Sequence, residues 1–310
     1  MGKVLEGKVA VITGSGRGIG REMALLMASE GAKVVVNDLG GATDGSGASA
    51  MVADQVVAEI KANGGQAVAN FGSVADLDGA EGIIQTAIDN FGKIDILVNN
   101  AGILRDRMIW NMTDKEFDDV IKVHVWGHFY CTRAALRRMR ESISVGQQTG
   151  GRIINFASDS GIRGNAGQPN YCFAKMGVVG FTYSTAIATE RFGVTCNAIS
   201  PRASTRLTDT MSETRLRQLA KERGYLAVDE TSFEDLKIKY LGGSPAGIAP
   251  FATWLASDAS QHVTGQVFSV QGNRIALFSK MEHLRAAYSD GPFDVESLSR
   301  VMEDLLPKAD

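Results

Sequence analysis

Thr13-Gly14-Ser15-Gly16-Arg17-Gly18-Ile19-Gly20 follows the apolar run Val9–Ile12 and precedes a segment of helical character, Arg21 to Ser29. Glycines in such a turn let the chain reverse sharply and let backbone approach a pyrophosphate. They also let the next helix sit close on the strand, with its amide-rich N-terminus toward the negative charge. A glycine string alone is weak evidence; a strand before it, a helix and a second strand after it, and an acid closing that strand make it strong. The spacing is T-G-x-x-x-G-x-G rather than G-x-G-x-x-G, because position 19 is isoleucine. It also lacks the Gly-Lys-Ser/Thr ending of a nucleotide triphosphatase, which disfavours ATP. Gly14, Ser15, Arg17, Gly18, Ile19 and Gly20 are therefore candidate cofactor contacts.

Asp38 closes the second strand, 18 residues beyond Gly20. A carboxylate there accepts hydrogen bonds from both hydroxyls of an adenosine ribose, whereas a 2′-phosphate would set two anions in contact. NAD is favoured over NADP. Arg17 pulls the other way, as a cation near the phosphates; Asp38 decides, because repulsion excludes a ligand while a flexible cation only tolerates one.

Outward from this loop, short apolar runs alternate with helix-length segments. Val9–Ile12, Val34–Asn37, Ala67–Asn70, Ile94–Val98, Arg152–Ala157, Val194–Ile199 and Gln266–Val270 read as strands, continuous in apolar character as in a parallel sheet buried on both faces. Thr113-Asp114-Lys115-Glu116 is a capping box opening a helix to about Arg140, Ser244-Pro245 is a cap and first helical residue, and Gly31, Gly64-Gly65 and Gly92 stand where helices stop. The expected fold is α/β: a Rossmann-like, doubly wound, seven-stranded parallel sheet in a single domain over residues 1–275, followed by a C-terminal helical extension, 276–310. Leu39 to Ala50 reads as a mobile or simply exposed Gly/Ser/Ala-rich loop. Residues 202–243 contain no strand, lie beyond the carboxyl end of the sixth, and suit a substrate lid.

Of 310 residues, 44% are hydrophobic and 22% charged, which suits a globular α/β protein and excludes a disordered one. The net charge is -3 with no long block of one sign, so nucleic acid and acidic membranes are poor partners; no apolar run reaches the roughly 20 residues of a membrane span. The N-terminus has no signal-peptide pattern. Cys131, Cys172 and Cys196 show no metal-ligand spacing and read as idle thiols of a reducing cytoplasm, and no metal site is expected.

Tyr171 and Lys175 stand four apart at the start of a helical segment running to about Arg191, so both project from one face. A solvated pair is the default reading. Ser158, ending the fifth strand thirteen residues earlier, and Asn99-Asn100-Ala101-Gly102, ending the fourth, change it: all these features fall at carboxyl ends of strands, where the glycine loop also lies. They converge on one cleft. Oxidising a secondary alcohol needs a base, and a free tyrosine is protonated at neutral pH. Lowering its pKa by about 3 units takes roughly 4 kcal/mol, the order that one cation about 4 Å away supplies at an effective dielectric of ~20.

Together, Thr13 to Gly20, Asn99 to Gly102, Ser158 and Tyr171-x-x-x-Lys175 resemble the short-chain dehydrogenase/reductase family over roughly residues 5 to 273. Val35 to Gly41, Asn99 to Arg107 and Gly164 to Lys175 are most similar to the dehydrogenase part of peroxisomal multifunctional enzymes type 2 and their bacterial single-domain relatives. The resemblance implies NAD-dependent oxidation of (3R)-hydroxyacyl-CoA thioesters or of 17β-hydroxysteroids. It implies Tyr171 as general acid/base, Lys175 as its pKa depressor and a ribose ligand, and Ser158 as the donor to the substrate oxygen. It also implies cofactor contacts from Asn100, Ala101 and Gly102. His124, in His124-Val125-Trp126-Gly127, occupies the family's catalytic asparagine position, where an imidazole replaces the amide as the polar side chain. Ser73, before Val74, stands where the family often has an adenine-binding aspartate, and Pro201-Arg202 replaces the usual proline-glycine, which implies a looser nicotinamide cradle.

The resemblance further implies pairing of the helices within 113–140 and 168–191 between subunits of a homodimer or homotetramer. Leu207, Met211, Leu216, Leu219, Tyr225 and Leu226 suit either a tunnel wall or ordinary helix packing, and Arg105, Arg107, Arg202 and Arg206 are cations for CoA phosphates. An NADPH-dependent 3-oxoacyl thioester reductase and a non-catalytic dinucleotide-binding regulator are the alternatives, since fold alone does not fix function.

Overall fold

Every residue of the strand Val9–Thr13 is buried, and successive residues face different helical layers. The computed structural model describes residues 3–42, 44–47, 49–203, 213–222, 228–236 and 243–306. Its strands are β1 (Val9–Thr13), β2 (Lys33–Asn37), β3 (Gln66–Asn70), β4 (Ile96–Asn99), β5 (Gly151–Phe156), β6 (Val194–Pro201), β7 (Val267–Gln271) and β8 (Arg274–Leu277), in the spatial order β3-β2-β1-β4-β5-β6-β7-β8. The helices between them are α1 (Gly18–Ser29), α2 (Met51–Ala62), α3 (Leu77–Phe91), α4 (Asp114–Ile121), α5 (Gly127–Ser144), α6 (Asp159–Arg163), α7 (Pro169–Thr189), α8 (Glu213–Glu222) and α9 (Ala249–Ala256).

Strand pleating explains the two cores. Ala10, Ile12, Val34, Val36, Ile96 and Val98 point to one face, against Met23 and Met27 of α1, Val56 and Ile60 of α2 and Leu255 of α9. Val9, Val11, Val35 and Leu97 point to the other, against Ile83 and Ile84 of α3, Cys131 and Met139 of α5 and Ala186 of α7. Burying each such Ile, Leu or Met stabilises by about 1.5–3 kcal/mol, which is why apolar runs rather than alternating ones form this sheet.

The first seven strands are parallel, as the alternation of strands and helices requires. An eighth is added. After a turn at Gly272, Arg274–Leu277 folds back antiparallel on β7, so the stretch expected to begin a helical tail instead closes the sheet edge. The compact unit accordingly runs to Phe278. Residues 279–310 form a second unit with one helix, α10 (Val295–Leu305), capped by Asp294 accepting from the Ser297 amide; the residues between 280 and 294 are not helical. No helix among the described residues is long and apolar enough to cross a membrane.

Candidate active site

At β1 the strand order reverses, with β2 on one side and β4 on the other, and the connections leave in opposite directions. A cleft opens there at the carboxyl ends of the strands, as in other doubly wound sheets. Gly14, Asp38, Asn100, Ser158, Tyr171 and Lys175 all line it. Four motifs separated in sequence thus share one cavity.

The glycine loop is shaped by close approach. Gly14 has φ +64, and a Cβ there would lie 2.7 Å from Ala101 Cα; a Cβ on Gly20 would run into the Gly14 carbonyl. The first helical hydrogen bond of α1 is Arg21 N to Arg17 O, so the amides of Gly18, Ile19 and Gly20, residues that line the cleft, precede any intrahelical acceptor. Such a cradle of free amides and missing Cβ atoms fits a pyrophosphate. Arg17 is exposed on the cleft rim. Ser15, expected to contact the cofactor, turns both of its donors to the sheet. It is fully buried, its hydroxyl donates to Ile12 O at 2.7 Å and its amide to Asn37 O at 2.9 Å, so both donors hold the turn onto the sheet.

Asp38 leaves β2 into the cleft. Its Oδ2 accepts from Gly16 N at 2.8 Å and its Oδ1 from Gly40 N at 2.7 Å, which fixes the carboxylate while leaving each oxygen a further lone pair. Beside it, Asn37 Nδ2 donates to Asn70 Oδ1 and to Gly72 O, both at 2.9 Å, ordering the turn that brings Ser73 and Val74 to the cleft wall. Ser73 Oγ accepts from Ala75 N at 3.0 Å.

The turn after β4 is strapped to the glycine loop. Thr13 Oγ1 accepts from the amides of Asn100 and Ala101 at 3.0 and 3.1 Å, and Asn100 Nδ2 donates to the carbonyls of Thr13 and Gly14 at 3.0 and 2.9 Å. Asn100 is thereby a brace for the cradle. Gly102 is small because the His124 ring lies where its Cβ would be. His124 sits in a π-helical turn, Lys122–Trp126, inserted between α4 and α5, a feature that the capping box at Thr113 does not signal. Its Nε2 lies 2.9 Å from Ile103 O and 3.2 Å from Ile103 N, so either tautomer meets the Ile103 backbone, and among the described residues its buried Nδ1 has no partner. Burial, then the nearby Lys175 charge, holds its pKa well below the usual histidine range. His124 therefore anchors the Gly102–Ile103 segment through its side chain.

Ser158 caps α6 and accepts from Ser160 N at 3.2 Å, which leaves its own proton available to donate, and its hydroxyl favours the ionised form of the Tyr171 phenol. Tyr171 and Lys175 lie in the first two turns of α7, which Pro169 opens at its first position. Lys175 Nζ donates to Phe156 O at 2.5 Å and lies 5.6 Å from the Tyr171 ring centre. Burial pushes the phenol up to about 12, with the Ser158 hydroxyl acting in the opposite sense, and burial pushes Lys175 down to about 7. Each group, desolvated, favours its neutral form.

Three of the four arginines expected to meet CoA phosphates are ion-paired. Arg105 pairs with Asp44 at 3.3 Å and Asp119 at 3.4 Å, Arg107 with Glu116 at 2.7 Å and Arg202 with Asp159 at 2.5 Å, while Arg206 lies outside the described residues. Nor is the chain loose at Arg202, whose amide donates to Val270 O at 2.8 Å. In the 202–243 region, Leu216 packs with Ala220, Val228, Leu236 and Phe233, which is ordinary helix packing. Leu207, Met211, Tyr225, Leu226 and the Leu219 side chain lie outside the described residues.

The short chain dehydrogenase family model matches residues 8–218. Peroxisomal multifunctional enzyme type 2 of Drosophila melanogaster is 52% identical over 204 residues, 66% of this chain but 33% of that enzyme, so this chain spans about a third of it. Hydroxyacyl-CoA dehydrogenase ChsB1 of Mycobacterium tuberculosis is 39% identical over 303 residues, 97% of this chain and 89% of the relative. A crystal structure of a short chain dehydrogenase from Mycobacterium avium superposes with a TM-score of 0.82 at 41% identity, covering 99% of this chain and 97% of that one.

Proposed function

The chain belongs to the short-chain dehydrogenase family, and from that premise we propose that it oxidises secondary alcohols with NAD, its substrates being (3R)-hydroxyacyl-CoA thioesters with a fatty acyl or sterol side chain, or 17β-hydroxysteroids. The observation that carries the chemistry is the meeting of Ser158, Tyr171 and Lys175 in the cleft that also holds the glycine cradle. The preference for NAD rests on Asp38, whose two oxygens are held by Gly16 and Gly40 with acceptor capacity left for ribose hydroxyls. The thioester class rests on the relatives named for it.

In this reading Ser158 donates to the substrate oxygen, and Tyr171 takes the hydroxyl proton. Lys175, in its protonated form, would supply a cation near the phenol, its Nζ lying 5.6 Å from the ring centre, and would be a donor for the ribose hydroxyls. NAD, when bound, supplies the hydride acceptor and a positive ring that favours the phenolate form of Tyr171. His124 keeps the Gly102–Ile103 segment in place at the reacting end. The protein acts as a homodimer or homotetramer, for which exposed Trp126, Phe173 and Ile187 on the helices expected to pair supply apolar surface.

NADPH-dependent reduction of 3-oxoacyl thioesters is the second reading, favoured by Arg17 on the cleft rim. Purified protein offered NAD or NADP with (3R)-hydroxyacyl-CoA thioesters of rising chain length and with 17β-hydroxysteroids separates the readings. NADH formed from the thioesters or the steroids is the expected result. Turnover with NADP alone replaces it by the second reading, and cofactor binding without turnover of any alcohol replaces it by a regulator.

A further inference from the structure

Asp159 and Arg202 line the cleft, yet no step above uses them. Asp159 follows Ser158 directly beyond β5, and Arg202 follows β6, the neighbouring strand. Their side chains are only 13% and 17% exposed. Arg202 Nε and Nη2 donate to Asp159 Oδ2 at 3.0 and 2.5 Å, while Ser200 Oγ donates to Oδ1 at 2.8 Å. One carboxylate therefore collects three donors from the end of β6, and Arg202 is itself pinned to β7 through Val270 O. Burial opposes ionisation of Asp159, and Arg202 with Ser200 outweighs it, so the carboxyl lies below its ordinary range.

An exposed ion pair of this kind would matter little, but removing one partner of a largely buried pair strands the other charge. What the pair joins gives it a purpose. On one side is the turn bearing Ser158, whose oxygen accepts from Ser160 N, so its hydroxyl serves a substrate oxygen only while the turn keeps its place. On the other is the start of the segment after β6.

We propose that Asp159 and Arg202 are a positioning pair: their ion pair ties the Ser158 turn to the end of β6 and so holds the Ser158 hydroxyl at the substrate oxygen, touching neither substrate nor cofactor. The proposal rests on the reading of Ser158 as part of an alcohol-oxidising site.

The test compares Asp159→Ala, Asp159→Asn, Arg202→Ala, Arg202→Lys, the double alanine variant, and the exchanged pair Asp159→Arg with Arg202→Asp. Three quantities are read: kcat and KM for NAD-linked oxidation of a (3R)-hydroxyacyl-CoA, the NADH dissociation constant, and amide hydrogen exchange over residues 157–163 without substrate. A displacement of the order of an ångström lowers kcat by about 10²-fold in the alanine variants, with NADH affinity unchanged. The double variant is no worse than the worse single one, because the two act as a unit. Arg202→Lys, which keeps charge but loses the fork, and the exchanged pair regain part of kcat. Native kcat in the alanine variants, multiplying losses in the double variant, or losses in KM alone overturn the proposal. If the native protein oxidises no alcohol, the proposed function fails by itself. The exchange data then decide: faster exchange at 157–163 in both alanine variants, reversed by the exchanged pair, supports the tie, and native exchange refutes it.

Discussion

Replacing Asp38 with alanine is expected to turn the adenosine end of the cleft from NAD toward NADP. The carboxylate is fixed by the amides of Gly16 and Gly40, 2.8 and 2.7 Å away, so it cannot swing aside without giving up both bonds. A 2′-phosphate brought to about 4 Å from it, at an effective dielectric of ~20, meets a repulsion of about 4 kcal/mol per unit of phosphate charge, roughly a thousandfold in affinity. Alanine removes that repulsion and releases two amides to donate to the phosphate. It also removes charge-assisted bonds to the ribose hydroxyls, weakening NAD by about 1.5–3 kcal/mol. The ratio of NADPH to NADH affinity should therefore rise by about 10³-fold or more. Titrating native and variant protein with NADH and NADPH, followed by fluorescence of the reduced ring, measures that ratio with no alcohol substrate. Equal affinities in the native protein, or a ratio that moves by less than about tenfold in the variant, would refute the reasoning.

Further outcomes follow from the same geometry. Lys175→Met should abolish turnover yet stabilise the fold: the folded pKa of about 7 against about 10.4 unfolded is a penalty of up to about 5 kcal/mol, full below pH 7 and fading as pH rises to the unfolded value. Denaturant melts at about pH 6 and pH 9 check this, and a variant no more stable than native at the lower pH contradicts it. Gly14→Ala, placing a Cβ 2.7 Å from Ala101 Cα at φ +64, should lower stability by about 1–3 kcal/mol and weaken NADH binding, read from urea melts with and without NADH.

The parts of the site carried by local backbone rules were legible in the sequence. A glycine loop between strand and helix, an acid closing the second strand, and a tyrosine and lysine four apart each announce themselves within a few residues, and all of them line the cleft. What escaped depends on where side chains turn and on distant partners. Ser15 lies inside the glycine motif, but its hydroxyl points back to Ile12, and spacing does not record direction. The π turn around His124 has no propensity signature, and β8 is four residues long. Lys175 donates to the Phe156 carbonyl in a buried setting, a partner that no motif expresses. Arg202 did leave a trace, as the residue in place of an expected glycine; its partner Asp159 is 43 positions away and only the sheet brings them together.

The phenol of Tyr171 is the point on which the enzymatic account turns. Single-turnover oxidation of a (3R)-hydroxyacyl-CoA by NAD, measured for the native protein and for Tyr171→Phe with NADH affinity determined in parallel, probes it directly. The account predicts NADH formation by the native protein and a loss of about 10²- to 10⁴-fold in the phenylalanine variant, with NADH bound as before. A phenylalanine variant that oxidises the thioester at the native rate would remove Tyr171 from the reaction and contradict the account.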